Sequence, residues 1–539
     1  MQSVMDHTFS EVPRADIPRS TFNRSHGLKT TFDSDWLVPI LVDDVMPGDS
    51  FNVDCHHFAR LGSPLIHPIM DNMYLETFFF FVPYRLLWDN WEKFMGAQED
   101  PNDSIDYTIP KVSADTTYDL TTGSNFGNLS DYLGLPHRNS VNLSEFSALP
   151  YRAYSLIWND WFRDQNLQDS LNVDTDDGPD NDDSDYALMK RAKRHDYFTS
   201  ALPWPQKGDA VSLPLGTTAP ISGLGLDSSG LGAAQAFASV YETDLGGTNS
   251  MTGWRADPAP GGAAGRGSLI VEQDTANNPG IYANLSSATA ASINDLRLAF
   301  QTQRLLERDA RSGTRYVEMI LAHFGVTVPD FRVQRPEFLG GGSSVINTHE
   351  VPNTSATATE QQGELTAYGT SSGRHGFTKS FVEHGVVIGL ANVRGDITYS
   401  QGAERYWFKE TRLEFYFPVL SQIGEQAINN REIFYQNSLT DEQVFGYQER
   451  YAEYRYKPAR LTGLFRPDNA TSLDSWTLTE NFASLPALGN TFIQSNTGAP
   501  LDRAISIPSE PQIIADFYFD MKCARPMPLY GVPGSLDHF

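Results

Sequence analysis

Met73-Tyr-Leu-Glu-Thr-Phe-Phe-Phe-Phe-Val82, closed by Pro83, crowds aromatic and β-branched residues into one short run, the composition of a β-strand. From Phe78 to Val82 every position is apolar, so both faces of this strand need cover. That is the setting of a strand held between two layers, as in a sandwich.

Similar signals lie on either side. Trp36-Leu-Val-Pro-Ile-Leu-Val42 reads as a short strand, and Pro47-Gly48-Asp49 as a turn leading into another at 51–58. Further strands are expected at 382–391, at 405–417 (ended by Pro418) and at 513–521, with Thr- and Gly-rich connectors between them. Helical spacing marks 86–95 through Leu87, Trp91 and Phe94, and 144–162, which Pro150 breaks early. Trp158 and Trp161 share an i, i+3 face with apolar neighbours and read as core. Two more helices are expected at 293–310, with Leu296, Ala299 and Phe300 on one face, and at 316–324. Residues 1–35 form a polar arm, ordered only if it docks, and the proline-rich 526–534 should lie extended over a surface.

Composition narrows the function. The 539 residues carry a formal charge of −27, which opposes free-standing binding to DNA or to an anionic membrane. With 42 Gly and 32 Pro the chain should be loop-rich and mainly β. Cys55 and Cys523 are the only cysteines, and two unpaired thiols are the expected state. The run from Met1 to His7 has neither a basic nor an apolar signal region, and no apolar run approaches the ~20 residues of a membrane span, so a soluble chain is expected.

Three stretches invite chemistry. Asp174, Asp176, Asp177, Asp180, Asp182, Asp183 and Asp185 suggest a calcium loop, but Gly178 falls one residue early and Asp185 stands where Glu is needed, so a solvated loop is expected. Lys190, Arg191, Lys193 and Arg194 form the densest basic cluster; they are candidates to grip DNA phosphates, or to neutralise the Asp run or an acidic neighbour. Gly446-Tyr-Gln-Glu-Arg-Tyr-Ala-Glu-Tyr-Arg-Tyr-Lys-Pro-Ala-Arg460 interleaves rings and cations. It suits single-stranded nucleic acid or a protein interface, and Glu449 and Glu453 favour the interface. Tyr447, Arg450, Tyr451, Tyr454 and Arg455 are the interface candidates, with the three tyrosines at i, i+4 and i+7 on one helical face. The Gly- and Ala-rich 208–292 reads as an elaborate surface loop or a disordered stretch; its Gly223-x-Gly225 has its third glycine misplaced and no strand–helix unit around it, so a dinucleotide fingerprint is rejected. No zinc-protease, nucleophile-elbow, Walker or C-x-x-C pattern occurs, so no enzyme activity, metal or cofactor is expected.

Five blocks in order carry a family resemblance: Ser25-His-Gly-Leu-Lys-Thr-Thr-Phe-Asp33 with Met46-Pro-Gly-Asp49; 190–198 with Leu202-Pro-Trp-Pro-Gln-Lys207; Arg304-Leu-Leu-Glu-Arg-Asp-Ala-Arg311 through His323-Phe-Gly325; Arg335-Pro336 with Leu339-Gly-Gly341; and 446–466. Together they resemble the major capsid protein family of the Microviridae, small icosahedral single-stranded DNA bacteriophages, on its gokushovirus branch. The resemblance implies an eight-stranded antiparallel viral jelly roll, a β-sandwich with long helical and loop insertions. It divides the chain into an N-terminal arm (1–35), a first jelly-roll part with helical insertions (36–215), a surface insertion (216–292), and a helical pair, second jelly-roll part and extended C-terminus (293–539). It further implies a T=1 shell of sixty copies around circular single-stranded DNA, with pentamers as intermediates and three-fold protrusions from 216–292 for host attachment. The implied partners are a small basic DNA-packaging peptide, an internal scaffolding protein, a pilot protein, the genome and a host receptor. Such a protein resides in the virion and is assembled in the bacterial cytoplasm. The competing classes are a β-rich carbohydrate-active protein and a free nucleic-acid-binding module.

Overall fold

The computed structural model describes residues 18–98, 100, 102, 104, 106–112, 127–136, 146–180, 186–209, 211, short pieces within 221–283, 293–312, 322, 334–355, 362–494 and 500–530. Two units are distinguished: Met1–Pro205 with Ala310–Phe539, and Gln206–Asp309. In the first, besides a two-residue parallel pair of Thr398–Tyr399 with Thr479–Glu480, the strands are β1 (Ser20–Asn23), β2 (His26–Phe32), β3 (Val38–Val45), β4 (Ser50–Leu61), β5 (Met73–Pro83), β6 (Glu337–Pro352), β7 (Leu365–Ser380), β8 (Gly385–Gly395), β9 (Glu425–Asn429), β10 (Val444–Glu449) and β11 (Ile513–Arg525). All but β9 and β10 join one antiparallel sheet in the order β1-β11-β4-β7-β6-β5-β8-β3, with β2 beside β1 on the same edge of β11.

This sheet curls on itself at β6. Glu337 to Ile346 pair with β5, whereas Asn347 to Pro352 pair with β7. The chain thereby passes from one layer (β5, β8, β3) to the other (β7, β4, β11, β2), and the two close on a shared core. The fold is a jelly-roll β-sandwich with insertions. In β4, Phe51, Val53, Cys55, His57, Ala59 and Leu61 point inward and the alternate residues outward; β11 alternates likewise from Ile513 to Cys523. Ring pairs bridge the layers, Phe79 to Phe377 at 5.3 Å and Phe81 to Phe381 at 4.7 Å. Each such buried ring contributes about 2 kcal/mol through apolar burial. Cys55 and Cys523 are buried free thiols, as expected.

Strand β5 is indeed covered on both faces. Phe79 and Phe81 face the sandwich core, while Phe80 and Val82 face a second core with Leu37, Trp88, Val386 and helix α1 (Leu149–Ile157). The outer cover is therefore the helical excursion between β5 and β6, not a third sheet. Pro150 starts α1 instead of breaking it, because a proline at the first helical turn forfeits no hydrogen bond. Trp158 is core, but Trp161 is 38% exposed, since the turn widens over Trp158–Phe162 and points the second indole outward.

Other expectations need correction. Residues 405–417 form no strand: short 3₁₀ turns at Arg405–Phe408 and Arg412–Glu414 replace it, the second closed by a Thr411/Glu414 capping box. The Gly- and Thr-rich connectors include β6 and β7. Residues 20–32 of the arm dock as β1 and β2 on β11. The 86–95 helix is only a 3₁₀ turn, Tyr84–Leu86, and one α-turn, Trp91–Phe94. The acidic stretch is only partly solvated: Asp180 is buried on the fully buried Arg152 (Nε to Oδ2, 2.8 Å), and Asp177 accepts from the indole of Trp88 at 2.7 Å. Asp182, Asp183, Asp185 and the 316–324 helix apart from residue 322 lie outside the described residues.

The unit Gln206–Asp309 contains most of helix α2 (Ile293–Ser312) and two-stranded antiparallel ladders, among them Leu224–Asp227 with Ser268–Val271. Gly225 therefore sits in an antiparallel ladder, the wrong frame for a dinucleotide fingerprint. Leu298 and Phe300 of α2 are 67% and 64% exposed.

Candidate functional site

The run 446–460 is not helical. Its first residues belong to β10, which pairs with β9, and Tyr447 also exchanges both backbone hydrogen bonds with Leu202 at 2.8 Å. Tyr451 then takes a left-handed conformation (φ +62°), which turns the chain into the 3₁₀ segment Ala452–Tyr454. The expected helical face of three tyrosines is thus replaced: Tyr451 and Tyr454 meet edge-on at 6.2 Å and both contact Tyr416, while Tyr447 is held elsewhere in the strand. Tyr451 is buried and donates its hydroxyl to the Leu413 carbonyl at 3.2 Å; Tyr454 is 54% exposed. The Arg450 guanidinium lies 5.0 Å over the Tyr451 ring, and Arg455 pairs with Glu449 of the same chain.

Around this turn the chemistry is mixed in sign. Lys409 is buried between Glu453 (2.9 Å) and the Tyr454 ring (4.1 Å). Burial opposes charge on Glu404, yet Lys457 and Arg460 both pair with it and hold its carboxyl below the ordinary range. A cavity of about 460 Å³ opens here, lined by Tyr406, Phe415 and Tyr454 together with the carboxylates of Glu404, Glu432 and Glu453. Beside it Trp407, Leu413, Phe415, Tyr416, Val419 and Ile423 are each more than half exposed. Apolar side chains clustered in this way on one surface mark an interaction site.

The basic cluster is built differently. Arg191, Arg194 and Arg394 share the carboxylate of Glu76, with Arg394 Nη2 at 2.8 Å and Arg194 Nη2 at 3.2 Å. Arg194 also reaches Asp396 at 3.1 Å, Lys193 pairs with Glu480 at 2.6 Å, and Lys190 lies 5.1 Å over the Trp36 ring. Burial opposes charge on Glu76, but the three guanidiniums prevail and keep its carboxyl below the usual value. Burial and then the charge of Arg394 pull Arg191 down to about 10. Glu76 and Arg394 escaped the sequence reading, although a lone carboxylate in an apolar strand and an arginine ending another are signs of a buried ion pair. Among the described residues no group of three or more His, Cys, Asp or Glu side chains could hold a metal ion, and no helix is long and apolar enough to cross a membrane.

A curled antiparallel sandwich with two contrasting surfaces leaves the class of protein open; comparison with known proteins decides it. The family described as capsid protein (F protein) matches residues 10–535. The chain belongs to the phage capsid F protein family. Capsid protein VP1 of Bdellovibrio phage phiMH2K is 46% identical over 553 residues, spanning 99% of this chain and 98% of the relative. Capsid protein VP1 of Chlamydia phage 1 is 42% identical over 601 residues (99% and 98%), and that of Spiroplasma virus 4 is 35% identical over 556 residues (98% and 97%). This capsid protein is a structural component of a phage virion that assembles with copies of itself, not an enzyme.

Proposed function

We propose that sixty copies close a T=1 shell around circular single-stranded DNA, and that 405–423 with 446–460 forms a principal contact between copies. The observation that carries this reading is the exposed aromatic surface around Tyr454 and Trp407, beside a cavity whose cations Arg405, Lys409, Lys457 and Arg460 are already paired with carboxylates of the same chain. In it Arg450 and Tyr451 shape the surface and Tyr447 anchors the strand that leads into it, while Tyr454 and Arg455 meet the neighbouring copy. Trp407→Ala with Tyr454→Ala should lower particle yield at least tenfold while the thermal transition of the free subunit stays within a few degrees. Normal particle yield from the double variant would remove this surface from the interface.

The insertion 216–292 is proposed as the three-fold protrusion that meets a host receptor. The exposed Leu298 and Phe300 of α2 support self-association of this unit, because copies meeting at one axis would bury apolar groups that one copy leaves in water. A phage in which a short linker replaces 216–292 should assemble yet fail to adsorb; normal adsorption would end the idea.

DNA contact is assigned to Lys190, Arg191, Lys193 and Arg194. At −27 per copy the shell cannot neutralise a genome, so contact must be local and aided by a small basic packaging peptide. The internal scaffolding protein, the pilot protein and assembly through pentamers in the bacterial cytoplasm complete this reading.

A further inference from the structure

Beside the 190–194 segment lies a cavity of about 370 Å³ with an unusual wall. Its cationic side chains are Arg191, Lys193, Arg194 and Arg394, with His195 at the edge, and no carboxylate lines it among the described residues. In a chain with 67 acidic and 40 basic residues that is the reverse of the average surface. The remaining wall is aromatic. Phe80, Trp161 and Phe338 pack ring to ring at 5.5–5.9 Å, and Trp161 and Phe338 keep 38% and 43% of their surface open. The exposed Arg335 lies 4.8 Å over the Trp161 ring and adds a cation beside the aromatic wall. Trp161 is fixed in place by donating its indole N–H to the Pro336 carbonyl at 2.8 Å, so the platform is preformed.

We propose that this cavity takes one nucleotide unit of single-stranded DNA, its base stacked against Trp161 and Phe338 and its phosphate against Arg194 and His195. The proposal rests on the assignment of DNA contact to 190–194 and adds what that assignment lacks, a base-stacking partner. The volume lies near the lower end of the ~300–1,000 Å³ that small-molecule pockets span, which suits one nucleotide and not a folded partner. Stacking on a ring is tolerant of base identity, as a shell around a whole genome requires. A neighbouring protein chain is the less suitable occupant, because Glu76, Glu480 and Asp396 pair with these cations without lining the cavity, so that the lining combines cations and rings with no carboxylate, which suits a phosphate with a base.

The test compares a twelve-nucleotide thymidylate strand with its abasic counterpart on the purified full-length chain at low salt. The intact chain should bind thymidylate roughly tenfold tighter than the abasic strand, the order expected for one stacked base. Trp161→Leu, or Phe338→Leu if the first variant folds poorly, should abolish that preference, and Arg194→Gln should weaken both strands alike. Equal binding of both strands by the intact chain would overturn the stacking cavity while leaving phosphate contact at 190–194 in place. Failure of both strands to bind would remove the stacking cavity and the phosphate contact together.

Discussion

His57 sits between the two layers, 4% exposed, with neither ring nitrogen hydrogen-bonded and the His375 ring 5.0 Å away. The inner neighbours are Cys55, whose thiol burial pushes up to about 12, Phe517 and Ser344; Thr77 bonds Nδ1 of His375 at 2.8 Å. No carboxylate is among them. Burial, then the neighbouring histidines, lowers His57 to about 4, against an ordinary 6.5. The unfolded chain therefore binds this proton first, so stability is full above pH 6.5 and falls as pH drops toward 4, by roughly 3 kcal/mol. His57→Phe should flatten that fall in denaturant titrations of the subunit between pH 7 and 4; an unchanged slope would show that His57 takes up its proton as readily in the folded subunit as in the unfolded chain. Glu76→Gln should cost about 3–5 kcal/mol at pH 7, because three guanidiniums lose their shared anion in a buried site. A variant within 1 kcal/mol of the parent would mean that these arginines are already satisfied by Asp396, Asp35 and backbone carbonyls.

At the scale of elements, legibility followed side-chain chemistry. Strands β4, β5 and β11 show plainly in the sequence because alternation and aromatic crowding report burial directly. Strands β6 and β7 do not, because their small residues are chosen by neighbouring backbone. A Cβ on Gly341 would lie 2.2 Å from the Thr77 carbonyl oxygen, and one on Gly342 2.3 Å from the His375 ring. Gly341→Ala should therefore destabilise by about 3 kcal/mol or more, whereas Gly489→Ala, with nothing near its Cβ and an extended φ, should stay within ~0.5 kcal/mol. Equal melting temperatures for the two variants would contradict the close packing of β6 on β5. The misread 405–417 has the opposite cause: its rings mimic a strand, but Trp407, Leu413 and Phe415 face outward. Likewise the tyrosines of 446–460 carried the composition of an interface but not its shape, since the left-handed Tyr451 has no sequence signal of its own. Trp161 and Phe338 lie 177 residues apart in the chain and meet only in the fold.

For the whole molecule, charge and fold answer each other. A shell of sixty copies carries a formal charge of about −1,600, so its cohesion cannot come from attraction between average surfaces. In the proposed shell it comes from discrete apolar contacts, for which the exposed Trp407–Tyr454 surface is the candidate, with the cations of 190–194 proposed for the genome. The jelly roll supplies the wall, and most of the remaining sequence lies in insertions between β5 and β6 and between β8 and β11. Mass measurement on particles formed by the full-length chain with its internal scaffolding protein tests the central claim most directly. Sixty copies of 60.0 kDa give closed isometric shells with about 3.6 MDa of capsid protein. Particles with a different copy number, or only small soluble oligomers in the presence of the scaffold, would contradict it.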